Sequence, residues 1–393
     1  MPARQARLAA AVAAGLALFG VGCAAPVSGG GGAAVGSEAA PTPEAAPTPE
    51  AGGIVGEGSQ PAPTPAPGPG GGLVGGAGFA EGATLLGRTD AELAWELDGI
   101  VAAGAQVIRV DIDWWRIQPY AGFWDWSSTD RVVQEARARG LRVLGMIGYT
   151  PPWARPPGSS DKQPPSDPAA FGEFARAAAQ HYAPMGVHDY EIWNEPNLSM
   201  FFQPKPNAAA YTALLKVAYP AIKAVDPAAT VMTGGLSPAP DAADGTTIAP
   251  VTFLRGVYAA GGKGYFDAVA HHPSNYPYMP LKPEPDYNDN AFGGVTPVLH
   301  QTMVENGDGQ KRIWATEMGA PTVQGITPQY VAEYVTEAYR AWKSWPWTGP
   351  LLWYSYRDGW NEPGEVEANF GLVLADGTPK EPALSAYKQA VTG

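Results

Sequence analysis

A single cysteine in 393 residues has nothing to pair with inside the chain, which excludes a small disulfide-stapled scaffold. Basic residues are scarce too: 25 Lys and Arg stand against 38 Asp and Glu, a formal charge of −13. That balance excludes a phosphate-clamping surface, and nucleic acid is not an expected partner. Charged residues of both signs make up only 16% of the chain, so uncharged polar and aromatic groups must fill much of the surface. Such a surface suits neutral ligands. A Gly-x-Ser-x-Gly nucleophile elbow and a Gly-x-x-x-x-Gly-Lys-[Ser/Thr] phosphate loop are both missing. No apolar run reaches the ~20 residues that a membrane-spanning helix requires.

Residues 24 to 78 contain no aromatic side chain and consist almost wholly of Gly, Ala, Pro, Thr, Ser and Glu. Pro41-Thr42-Pro43-Glu44 recurs as Pro47-Thr48-Pro49-Glu50. Too few apolar groups stand here to offset the entropy of folding, so the stretch is expected to be an extended, disordered tether. Before it, Arg4 and Arg7 precede the uncharged apolar run Leu8 to Gly22, which has the form of an export signal. Cys23 stands where that run stops, in Gly20-Val21-Gly22-Cys23, and this segment resembles a bacterial lipobox. Lipidation of Cys23 would tether the protein to the outer face of a membrane. Plain secretion with cleavage near Ala24-Ala25 is the alternative. The expected organisation is a signal peptide over 1–22, a linker over 23–72 and one catalytic domain over 73–393, working outside the cytoplasm.

All 13 Trp and all 17 Tyr lie beyond Phe79. There, short apolar runs alternate with helix-period segments. Asp90 to Gly104 places Leu93, Leu97, Ile100 and Val101 on one face and ends at a glycine. Further helices are expected over 130–139, 169–182, 208–225, 251–260, 297–306, 328–343 and 383–391. Strands are expected over 107–110, 141–147, 188–193, 230–233, 266–270, 312–316 and 351–356, with a weaker first one near 73–79. Eight strand–helix pairs running one way predict a parallel sheet, and over this length a closed (β/α)8 TIM barrel. Functional residues should then stand at the carboxyl ends of the strands.

Two strand ends carry a glutamate: Trp193-Asn194-Glu195-Pro196 at the fourth, and Thr316-Glu317-Met318-Gly319 at the seventh. The mouths of those strands lie across the pocket of an eight-stranded barrel. Two carboxylates facing each other over a cavity suit glycoside hydrolysis, one protonating the leaving oxygen while the other attacks the anomeric carbon. Each also raises the pKa of its neighbour, which supplies unlike acidities.

These segments, with Ile108-Arg109-Val110-Asp111, Asp113-Trp114 and Ile117-Gln118-Pro119, resemble the glycoside hydrolases that carry catalytic glutamates on strands four and seven. The resemblance runs from Phe79 to the C-terminus and is closest to family 39 and the related family 5. It implies retaining hydrolysis of O-glycosidic bonds in a polysaccharide or oligosaccharide, with Glu195 as acid/base and Glu317 as nucleophile. Asn194 would meet the sugar 2-hydroxyl, and Arg109 would hydrogen-bond near Glu317 and keep it ionised. The carboxyl oxygens should stand about 5 Å apart. A transglycosylase using the same residues, or a glycan-binding surface lipoprotein that does not cleave, are the alternatives.

Trp360-Asn361-Glu362-Pro363 repeats the strand-four motif in a loop-like setting, leaving Glu362 as a subsite residue. His271 and His272 cannot both aim inward from one strand, and no Glu or Cys stands at a zinc-like spacing, so neither a metal nor a cofactor is expected. The resemblance favours His272 as the pocket-lining member. Tyr276 or Tyr278 could supply a phenol to the nucleophile. Indoles stack on the apolar faces of sugar rings, which nominates Trp353 as a platform beside the scissile bond and Trp153 as a second stacking surface. The sugar and the oligomeric state stay open, and so does internal against terminal cleavage, on which the loop Ser274 to Gly294 bears.

Overall fold

The computed structural model describes residues 75–282, 290–359 and 364–393. Cys23 and the expected signal and linker segments lie outside them, as do Glu362 and part of the Ser274–Gly294 loop.

Eight parallel strands close in sequence order into a barrel, β1 pairing with both β2 and β8. They are β1 (Ala77–Gly82), β2 (Val107–Asp113), β3 (Arg142–Gly148), β4 (Asp189–Asn194), β5 (Thr230–Gly235), β6 (Ala268–His271), β7 (Arg312–Met318) and β8 (Thr348–Trp353). One long helix follows each: α1 (Asp90–Ala102), α2 (Ser127–Ala138), α3 (Pro168–Tyr182), α4 (Ala208–Val225), α5 (Pro250–Ala259), α6 (Thr296–Glu305), α7 (Pro328–Ser344) and α8 (Ala383–Thr392). The expected TIM barrel is present. Helix starts are fixed locally; Thr89 and Glu92 form a reciprocal capping box at α1. Among the described residues no helix is long and apolar enough to cross a membrane.

The period-2 alternation of strands sorts side chains into two layers. On β2, Ile108, Val110 and Ile112 join the large apolar cluster between strands and helices. Val107 joins a separate small cluster inside the barrel with Ala80, Leu144, Met232, Ala268, Ala270, Trp314 and Leu352. This floor is apolar, and the next inward positions on β2 are charged: Arg109, Asp111 and Asp113 are all buried. Side chains fill the barrel, so chemistry is expected at the mouth above those charges, on the carboxyl side of the strands.

Two strands begin three or more residues away from expectation. β1 starts at Ala77 and not near residue 73, because Gly75 and Gly76 hold left-handed backbone just before it. β8 spans Thr348–Trp353, three residues earlier than expected. Pro350 reads as a strand breaker, but β7–β8 pairing slips register between Thr348 and Leu351, where its missing N–H is accommodated.

Candidate active site

Arg109 organises the barrel mouth. Its side chain is 2% exposed, and each guanidinium nitrogen donates to a different acceptor. Nε donates to Glu191 Oε2 on β4 at 2.5 Å, Nη1 to Glu317 Oε1 on β7 at 2.7 Å, and Nη2 to Asn194 Oδ1 at 2.8 Å. Burial opposes its charge, but the carboxylates of Glu191, Glu317 and Asp111 outweigh that and raise its pKa further. A guanidinium is the group suited to such a site, being planar and permanently charged.

Glu191 is fully buried and was not anticipated as a site residue. It also accepts from Gly235 N at 2.7 Å and Thr316 Oγ1 at 3.1 Å, so all its contacts are internal. The signal was available, since a glutamate in mid-strand with apolar neighbours must face the barrel axis and find a cation there.

The backbone turns sharply after Glu191. Strict alternation would aim Trp193 inward and Asn194 outward, but Trp193 has φ 72° and Glu195 φ 42°. Left-handed backbone at non-glycine residues costs energy and gathers at functional sites. Here it sends the Trp193 ring outward against Tyr149, Phe171 and Phe202, and lets Asn194 reach Arg109. Glu195 follows with 15% of its side chain open.

His272, just past β6, joins the two glutamates. Its Nδ1 lies 2.9 Å from Glu195 Oε1 and 3.7 Å from Glu317 Oε2. Burial disfavours a charged ring, yet the Glu317 charge and the hydrogen bond and charge of Glu195 prevail, so its pKa is raised. One atom each from Glu195, His272 and Glu317 lie within 4.8 Å of one another. That spacing could be bridged by a cation, but Arg109 already occupies Glu317 Oε1 and His272 Nδ1 faces Glu195. The neighbouring His271 is wholly buried between Leu236 O and Ala291 O, and burial lowers its pKa to about 4.

Glu317 is 21% open and carries a raised pKa. Burial is the main cause, with Glu195 and Glu191 adding to it and His272 and Arg109 opposing. Arg109 thus makes the expected contact without offsetting the desolvation of its partner.

The aromatic expectations fare differently. Trp353 is fully buried, its indole N–H donating to Phe370 O at 3.2 Å and its ring edge-on to Tyr334. It has no open face for a sugar; the early end of β8 leaves Tyr354, not Trp353, as the first residue of the mouth. Burial, then the charges of Glu367, Glu317, Glu81 and Glu195, push the Tyr354 phenol well up. Trp153 is 40% exposed, pinned by its N–H to Gln118 O at 2.8 Å, and keeps a stackable surface. Tyr276 packs edge-on to Phe370, and the charges raising its phenol pKa beyond burial are Glu367 and Glu195. Tyr278 is exposed beneath Lys282. Among the described residues no hydrogen bond joins either phenol to Glu317.

The sequence matches the profile of Cellulase (glycosyl hydrolase family 5) over residues 90–349. No curated protein matches it. Among solved structures, a family 39 glycoside hydrolase from the gut symbiont Bacteroides cellulosilyticus WH2 is 25% identical with a TM-score of 0.63. That likeness covers 80% of this chain and 63% of the other, so this chain spans less than two thirds of that protein's length. A monomeric beta-xylosidase from Caulobacter crescentus CB15 is 21% identical (TM-score 0.61), covering 81% of this chain and 69% of that one. A GH5_18 protein from Streptomyces cattleya in complex with GlcNAc is 17% identical (TM-score 0.63), covering 81% and 80%. The profile spans more than half of the sequence and the barrel agrees with it: the chain belongs to glycosyl hydrolase family 5.

Proposed function

We propose that the protein is a retaining glycoside hydrolase acting on a polysaccharide or oligosaccharide, with Glu317 as nucleophile and Glu195 as acid/base. The observation that carries this reading is the proximity of the two carboxylates, one oxygen of each lying within 4.8 Å of the other. Direct attack needs a separation of ~5 Å, whereas inversion through an intervening water needs ~6.5–9.5 Å.

The roles follow from which oxygens are free. Glu317 Oε1 accepts from Arg109, so Oε2 is the atom that attacks the anomeric carbon. Glu195 Oε1 faces His272, so Oε2 carries the proton to the leaving oxygen. The first step forms a Glu317–sugar ester and expels the leaving alcohol. In the second, Glu195 takes a proton from water, which displaces Glu317 and restores the original anomeric configuration. Asn194 is held by Arg109 through its oxygen, leaving its amide nitrogen for the substrate's 2-hydroxyl. The same pair would transfer to a sugar acceptor in place of water. A purely glycan-binding role has no use for two glutamates held at attacking distance. The export-like leader and Cys23 support action outside the cytoplasm on a lipid tether.

The test uses 4-nitrophenyl glycosides and a panel of polysaccharides, with the anomer of the first product followed by proton NMR. Retention is expected. Glu317→Gln should abolish turnover, and Glu195→Gln should spare substrates with good leaving groups. An inverted first product, or full activity in Glu317→Gln, overturns the reading.

A further inference from the structure

Asp111 has no part in the network just described. It lies on β2 two residues beyond Arg109, on the same inward face and one step nearer the mouth. It is 7% exposed, its Oδ1 is buried, and that oxygen has no hydrogen-bond partner. The donations of Arg109 go to Glu191, Glu317 and Asn194, and none of them reaches Asp111. Asp113, 2% exposed, likewise has a buried Oδ1 without a partner, and its Oδ2 meets Arg116 only at 3.4 Å. Lys162, whose charge favours ionised Asp111 and Asp113 without a hydrogen bond to either, pairs with Asp161 at 3.2 Å and sits over the Tyr149 ring. On the β1 side stands Gly82, where a Cβ would lie 3.6 Å from Asp111 Oδ1 and 3.7 Å from Oδ2. A glycine there leaves the flank of the carboxylate open.

A buried carboxylate without a hydrogen bond is costly, and a native structure keeps one only for a reason. Burial and the neighbouring Asp113 raise its pKa to about 7, the mark of an anion short of donors. A carboxylate is acceptor-only when ionised and presents two oxygens side by side. Its natural complement in a sugar site is a pair of adjacent hydroxyls.

We propose that Asp111 is a substrate-binding residue, accepting hydrogen bonds from two adjacent hydroxyls of the sugar seated against Glu317 and so selecting neutral glycans over uronides. This rests on the hydrolase reading above. The acidic setting supplies the exclusion: Asp111, Asp113 and Glu317 would all face a uronate carboxylate, while the charge of Arg109 is shared between Glu191 and Glu317.

The test is calorimetric binding in the Glu317→Gln background, with cellotetraose, xylotetraose, mannotetraose and laminaritetraose as neutral probes and tetragalacturonate as the anionic one. At least one neutral probe should bind and tetragalacturonate should not. Asp111→Ala should weaken that binding by ~100-fold and Asp111→Asn by ~10-fold, as hydrogen bonds to a charged group are lost. The melting temperature of either unliganded variant should hold or rise, which a merely structural role would not allow. Unchanged affinity in both variants, binding of tetragalacturonate alone, or binding of no neutral probe overturns the proposal. None of these readouts needs turnover, so the assignment of Asp111 and that of Glu317 can fail separately.

Discussion

Gly235 offers the sharpest single perturbation of the site. It ends β5 beneath His272, and a Cβ there would stand 2.0 Å from His272 Nε2, 2.4 Å from Cδ2 and 2.8 Å from Cε1. Ordinary contact begins at 3.4 Å, so the ring would have to retreat by more than 1 Å. The backbone at Gly235 is not left-handed, so an alanine meets no conformational objection and the whole penalty falls on the ring. The ring is 3% exposed and has little room to move, while its Nδ1 holds Glu195 at 2.9 Å. Overpacking costs about 1–3 kcal/mol and the lost charge-assisted bond about 1.5–3 kcal/mol. For a barrel of this size, with an unfolding entropy of ~2.1 cal/mol/K per residue, each kcal/mol lowers Tm by ~1–2 °C. Misplacing a catalytic group by ~1 Å costs ~100-fold in rate. Gly235→Ala should therefore lose about two orders of magnitude in kcat/KM on an aryl glycoside and melt several degrees lower. His272→Ala removes the colliding ring, so Gly235→Ala should cost almost nothing more in that background. Differential scanning calorimetry of the four proteins decides. An equal Tm loss in both backgrounds would refute the argument that His272 is what the glycine makes room for.

Two further outcomes concern buried charges. Lys380 Nζ donates to Thr322 Oγ1 at 2.6 Å, Asp358 Oδ1 at 2.7 Å and Asn369 O at 3.1 Å, tying down the segment after β8. Lys380→Met should cost ~3–5 kcal/mol in urea denaturation by stranding Asp358, and adding Asp358→Leu should recover most of it. Asp111, faced by Asp113, Arg109, Lys162 and Glu317, has a folded pKa of about 7 against ~3.9 in an unfolded chain. The folded state binds that proton more tightly. The resulting stability is complete below pH ~4 and is lost as pH rises through about 7. Asp111→Asn should flatten that part of the Tm–pH curve; an unchanged slope would count against the burial of its charge.

Much of the barrel was legible because its strands and helices carry strong, unlike periodicities. The eight long helices begin and end within a few residues of their expected positions, aided by caps such as Thr89. Strand eight was misplaced because Pro350 looks like a terminator and the register slip that absorbs it has no sequence signature. The two strand-end glutamates stood out because each closes an apolar run. Glu191 was open to an alternation argument but stands in mid-strand, and Asp111 follows the expected strand 107–110 directly but carries no motif of its own. Trp353 was misjudged for a physical reason: indoles serve cores and sugar sites alike, and only packing against Tyr334 and Phe370 tells them apart. The left-handed turn at Trp193 and the close approach of Gly235 to His272 depend on contacts between distant segments. No local pattern records them.

The three donations of Arg109 have a consequence for assembly. They fasten β2 to β4 and to β7, residues as far apart as 109 and 317. A half-built ring ending after β4 would already own Glu195, Glu191 and the guanidinium, yet it would lack the residue proposed to attack the sugar. On that reading, no partly wound intermediate owns the full set of groups, which come together only when the circle is complete.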